Sequence, residues 1–128
     1  MNLNQITIPS IDVKKASVFY QTLGLKLIVD ALPRYVRFEC PDGNATFSIH
    51  KVNTLPSGNG ITIYFEDNNL DKLVKELQQK GIIFTSEPED KDWLWREAHL
   101  YDLDNNHIIL FKAGSNRKNP PWRINKNN

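Results

Sequence analysis

The chain spells one structural unit twice. The step from Gln5 to Asp12 equals that from Thr62 to Asn69, and the step from Asp12 to Gly24 equals that from Asn69 to Gly81. Each copy opens on a strand-like run, LNQITIPS and then GITIYFED. Each continues into a helical pattern, DVKKASVFYQTLG and then NLDKLVKELQQKG. In the first pattern Val13, Ala16, Phe19, Tyr20 and Leu23 recur at helical spacing, with Asp12 suited to the start and Gly24 to the stop. In the second, Leu70, Leu73, Val74 and Leu77 share a face and Gly81 ends it. Three strands then follow in each copy: LKLIVD, YVRFEC and ATFSIHKV first, IIFTS, WLWREAHLYD and HIILFK second. Turn signals at Ala31-Leu32-Pro33 and Pro41-Asp42-Gly43-Asn44 separate the strands of the first copy.

A βαβββ unit has one helix to cover four strands and cannot bury its sheet alone, so repetition at this scale implies two copies built together. The expected class is α+β: two βαβββ modules forming cupped mixed β-sheets covered by helices. Module one takes residues 1–56 and module two residues 60–113, joined by the linker SGNG into one domain over 1–113. Residues 114–128 form a C-terminal tail. The length of 128 residues suits such a domain.

Charge and cysteine usage narrow the role. The net charge of +1 exerts no general pull on nucleic acid or an anionic membrane. No segment approaches the ~20 apolar residues that cross a bilayer, and MNLNQITIPS lacks the build of a signal peptide. Cys40 is the sole cysteine, so no intramolecular disulfide forms. With no cationic neighbour in sequence, Cys40 reads as a small apolar residue, not a nucleophile. The expected setting is the reducing cytoplasm.

Three stretches carry a family likeness: IPSIDVKKASVFYQTLGLKL, IYFEDNNLDKLVKELQQKGI and REAHLYDLDNNHIILF. Together they resemble the vicinal oxygen chelate superfamily of glyoxalases, extradiol dioxygenases and bleomycin-resistance proteins. The superfamily writes its last turn D-P-D-G-N; here Leu103 stands for the proline and Asn105 for the glycine. Asn tolerates the left-handed conformation such a turn demands. The resemblance implies four metal ligands in metal-dependent members, one on the first and one on the last strand of each module. Those positions fall here on Gln5, Thr62, Ser48 and Ile109. Gln5 is a weak ligand, Thr62 a poor one, and Ile109 cannot ligate. His50, two residues past Ser48, shares its face. The expectation is therefore no metal or other cofactor, with a divalent ion the disfavoured alternative.

Strand alternation then nominates a ligand-facing set. If Gln5 faces the ligand, so does Thr7, with Thr46, Ser48 and His50 on the first module's last strand. The second module supplies Thr62 and Tyr64, then His107, Ile109 and Phe111. In WLWREAHLYD the set Trp93, Trp95, Glu97, His99 and Tyr101 is aromatic and titratable. Glu97 and His50 are the candidate catalytic pair: burial among aromatics would make Glu97 a better base, and His50 or His99 would partner it. The plainer alternative is a surface Glu97 paired with Arg96 or a lysine. Tryptophans line pockets for planar ligands as well as cores. In the tail, Pro120-Pro121 fixes an extended path that places Trp122 and Arg123 as a cap. Arg96, Arg117 and Arg123 suit a ligand carboxylate. Two functions follow: a small-molecule-binding protein that resembles the bleomycin-resistance proteins, which sequester a ligand and do no chemistry, or a glyoxalase-like lyase or isomerase using Gln5, His50 and Glu97 with or without a divalent metal. Either is expected to be a homodimer.

Overall fold

The computed structural model describes residues 1–124. The reading of Asn125–Asn128 as a disordered end lies outside the described residues. The chain forms two βαβββ modules, each with a four-stranded mixed sheet and one α-helix. The described residues divide into two compact units, Met1–Gly60 with Asp102–Asn106, and Ile61–Tyr101 with the described residues from His107 onward.

In the first unit β1 (Gln5–Ser10), α1 (Val13–Leu23), β2 (Lys26–Ala31), β3 (Tyr35–Glu39) and β4 (Thr46–Lys51) give the sheet order β1-β4-β3-β2. Strand β4 lies parallel to β1 and antiparallel to β3. Helix α1 starts where Asp12 Oδ1 accepts from the Lys15 amide at 3.1 Å. It stops at Gly24, whose φ of 113° is open to a residue without a Cβ. Tyr20 packs its ring on Phe47 at 4.6 Å, so Phe47 and Ile49 face the helix and Thr46, Ser48 and His50 face away.

The turn Asp102–Asn106 belongs to this unit, and Asp102 is its hub. Asp102 Oδ1 accepts from the amides of Asp104 at 2.8 Å and Asn106 at 2.9 Å. Its Oδ2 accepts from Asn106 Nδ2 at 2.8 Å and from the Tyr20 hydroxyl. Asp104 in turn accepts from the Ile11 amide at 3.1 Å. Asn105 takes the left-handed conformation at φ 63°, as its place in the turn requires.

Burial pushes the Tyr20 phenol well above its ordinary range, and the Asp102 carboxylate adds to the shift. The folded value lies above the unfolded one near ~10, so this stabilisation is present below that pH and is lost as pH rises past it. Urea midpoints of the wild type should therefore fall above about pH 10 by more than those of Tyr20→Phe. Parallel curves would show that the phenol is not linked to folding.

In the second unit β5 (Thr62–Glu66), α2 (Leu70–Gln79), β6 (Ser86–Asp90), β7 (Arg96–Tyr101) and β8 (His107–Lys112) repeat the order as β5-β8-β7-β6. Two strands differ from the sequence reading. The run IIFTS is not the strand: Ile82 closes α2 through its amide to the Leu77 carbonyl, and SEPED pairs with β7 instead. As an edge strand, β6 accepts Pro88 and acidic residues that an inner strand would reject. The strand within WLWREAHLYD starts only at Arg96, because Leu94 sits at φ 67°. No helix among the described residues is long and apolar enough to cross a membrane.

Candidate functional site

Arg96 settles which way the second sheet faces. Its guanidinium grips Asp71 of α2 at 2.8 and 3.0 Å and Asp90 at 3.0 Å. Arg96, Ala98 and Leu100 therefore face α2, and Glu97, His99 and Tyr101 face away. Register carries the assignment to β8, where Glu97 opposes Phe111, His99 opposes Ile109 and Tyr101 opposes His107. On β5, Thr62 opposes His107 and Tyr64 opposes Ile109. The open face of this sheet thus collects Thr62, Tyr64, Glu97, His99, Tyr101, His107, Ile109 and Phe111.

Aromatic packing builds one half of that face. Trp95 stacks on Phe111 with centroids 4.5 Å apart and planes 16° apart. Tyr64 meets both rings edge-on, at 5.8 and 5.7 Å. Trp95 covers Ile109, which is 4% exposed. Its indole N–H donates to the Asn116 carbonyl at 3.2 Å, which ties the start of the tail to the sheet.

The other half is a chain of polar side chains. Glu97 is 2% exposed. Its Oε2 accepts from Trp93 Nε1 at 2.6 Å, and its Oε1 lies 2.8 Å from His99 Nε2. His99 Nδ1 is 2.9 Å from His107 Nε2, and the His107 ring stacks on Tyr101 at 4.8 Å. Burial, and then His99, hold His107 below the ordinary imidazole value, with Glu97 opposing. His107 is thus disposed to be a neutral ring.

The open face of the first sheet is hydroxyl-lined. Thr7 and Ser48 share a hydrogen bond of 2.6 Å, and Thr46 donates to Gln5 Oε1 at 2.7 Å. Arg37 Nε donates to the Tyr35 hydroxyl at 2.9 Å. Burial raises the Tyr35 phenol, but hydrogen bonds with Ser48 and Arg37 and the charge of Arg37 leave it below its ordinary value.

Several candidates need correction. Glu97 is not a surface carboxylate paired with Arg96, because Arg96 is taken by Asp71 and Asp90 on the helix side. His50 is an exposed residue of the first unit opposite Tyr35, and the second imidazole in the Glu97 chain is His107. Trp122 is 57% exposed, and Arg123 turns back on its own segment, donating to the Lys118 carbonyl and Asn119 Oδ1. The start of the tail meets the sheet through residues 113–117: Ala113 and Gly114 amides donate to Glu66, and Arg117 pairs with it at 3.6 Å. Sequence reading missed the Trp93 donor, the His99–His107 bond and the Arg37–Tyr35 pair. The bond to His107 was within reach once the turn fixed the hairpin register, since His99 and His107 are diagonal neighbours.

The superfamily's metal positions do not fit a divalent ion. Gln5 and Ser48 are engaged with Thr46 and Thr7, Thr62 brings one hydroxyl, and Ile109 brings no donor. Such ions take carboxylates and imidazoles. Among the described residues no group of three or more His, Cys, Asp or Glu is placed to hold one.

Comparison with known proteins agrees with this architecture. Residues 3–113 match the family described as Glyoxalase-like domain. Among solved structures, a glyoxalase/bleomycin resistance protein/dioxygenase from Nocardioides is similar, with a TM-score of 0.78 and 20% identity over 98% of this chain and 90% of that one. The lactoylglutathione lyase of Agrobacterium tumefaciens gives 0.73 and 14% over 87% and 92%. A bleomycin-binding protein complexed with bleomycin gives 0.71 and 18% over 88% and 98%. At these identities the likeness is one of fold. No functionally curated protein matches the sequence.

Proposed function

Because the chain belongs to the Glyoxalase-like domain family, within the vicinal oxygen chelate superfamily, we propose that it is a small-molecule-binding protein that works without the superfamily's metal. The ligand is a planar or apolar compound held on the open face of the second sheet. The observation that carries this reading is the Trp95–Phe111–Tyr64 group beside the buried Glu97 chain. Flat rings supply a stacking surface, and a few fixed polar groups set orientation. The similar fold of a protein bound to bleomycin supports a binding role. The lone Cys40 supports a reducing, cytoplasmic setting. Exposed apolar side chains such as Ile28, Ile83 and Leu103 support a homodimer, which sedimentation at the monomer mass of 14.8 kDa would exclude.

The test is a fluorescence titration of chelator-dialysed protein with a panel of aromatic and 2-oxo compounds. Quenching should survive dialysis and be lost or much reduced in Trp95→Phe. A response that returns only with added nickel, zinc, iron or manganese would overturn the metal-free reading. A second reading, a lyase or isomerase of the glyoxalase type, is favoured by the Glu97–His99 contact, which has the form of a base with its partner. Turnover of a panel compound, abolished in Glu97→Gln, would establish it; unchanged substrates by NMR would dismiss it.

A further inference from the structure

We propose that the Glu97–His99–His107 chain is a proton relay that lets this face take up planar weak acids, such as phenols and enols, as their anions. The proposal rests on the small-molecule reading above and names the ligand class. The hydrogen-bond pattern assigns the protons. Trp93 Nε1 can only donate to Glu97 Oε2, and Oε1 lies 2.8 Å from His99 Nε2; the assignment takes Glu97 as an ionised carboxylate, which accepts only. His99 must then carry its proton on Nε2, which leaves Nδ1 as an acceptor in the neutral ring. His107 must fill that acceptor from Nε2, at 2.9 Å. In a neutral His107 the remaining nitrogen, Nδ1, is then a bare lone pair, and no hydrogen bond engages it among the described residues. These tautomers are assigned from the network.

Proton uptake follows directly and balances. A ligand O–H gives its proton to His107 Nδ1. The His107 Nε2 proton passes to His99 Nδ1. His107 ends neutral, with Nδ1–H donating to the ligand oxyanion. His99 ends as an imidazolium whose Nε2–H stays on Glu97. The positive charge therefore comes to rest beside a buried carboxylate, where it is stabilised, and the anion keeps a donor. Charged or titratable groups facing His107 are Glu97, His99 and Tyr101 on β7 and Tyr64 on β5; the residue opposite on β5 is the uncharged Thr62.

Two measurements decide it. Imidazole nitrogen NMR of the free protein should find Nε2–H on both His99 and His107 and an unprotonated His107 Nδ1. An Nδ1–H on His107 in the free protein would overturn the assignment. The second uses 4-nitrophenol at a pH where the free compound is mostly neutral. The bound compound should show its yellow anion band, with acidity raised about tenfold or more, one unit of coupling. His107→Phe should bind it with the neutral band. His107→Gln, which keeps an N–H for His99 but has no titrating nitrogen, should do the same if the first variant folds poorly. A neutral band in the wild type, an anion band in both variants, or no binding while other panel compounds quench would each overturn the relay and leave small-molecule binding standing. A panel that quenches nothing would remove the binding reading itself, and the relay's role with it.

Discussion

Asp102→Ala is expected to cost about 3–5 kcal/mol, because several donors lose one charged acceptor together and each hydrogen bond to a charged group contributes about 1.5–3 kcal/mol. The residue is 5% exposed and accepts from the backbone amides of Asp104 and Asn106, the Asn106 side-chain amide and the Tyr20 hydroxyl. Alanine satisfies none of these donors. Tyr20 is fully buried, and a stranded hydroxyl costs about 1–3 kcal/mol by itself. Since domains of this size are stable by about 5–15 kcal/mol, the variant should lose a large share of its folded population. Urea unfolding measures the change directly. A loss below about 1 kcal/mol would mean that water replaces the carboxylate and that the turn is not a hub.

Glu97→Gln is expected to cost about 1–3 kcal/mol although it changes almost no volume. Trp93 Nε1 donates to the carboxylate, and in the assigned tautomer His99 Nε2 donates as well. Gln offers one oxygen and one NH2, so one donor must face another donor or a ring must change tautomer. The His99–His107 bond would be disturbed with it. Urea unfolding gives the energy, and Trp93 fluorescence reports whether the indole keeps its partner. No change in either would show that Glu97 acts as a neutral acid.

Much of the fold was legible because burial imposes a period on the sequence. The step from Gln5 to Gly24 recurs from Thr62 to Gly81 because each helix must cover one face of one sheet. Alternation sorted β4, β5, β7 and β8 into two faces each, and the resemblance, which turns Gln5 toward the ligand, chose between them. What alternation cannot show is where a strand begins when the backbone leaves the extended region, as at Leu94, or that an edge strand tolerates Pro88. IIFTS looked like the strand because it is apolar, yet Ile83 is exposed and Ile82 serves the helix end. Side-chain partners were less legible than faces. Arg96 and Glu97 are sequence neighbours that point to opposite sides, so adjacency suggested a pair that the pleat forbids. Trp122 and Arg123 were read from the Pro120-Pro121 pair and their own residue types, which do not say which part of a tail touches the sheet.

The most direct measurement is the ligand titration of chelator-dialysed protein read residue by residue through backbone amide shifts. The expected result is a set of saturating shifts on Tyr64, Trp95, Glu97, His99, His107 and Phe111 with no metal present. Shifts confined to the first sheet, or shifts on these residues only after a divalent ion is restored, would contradict the account.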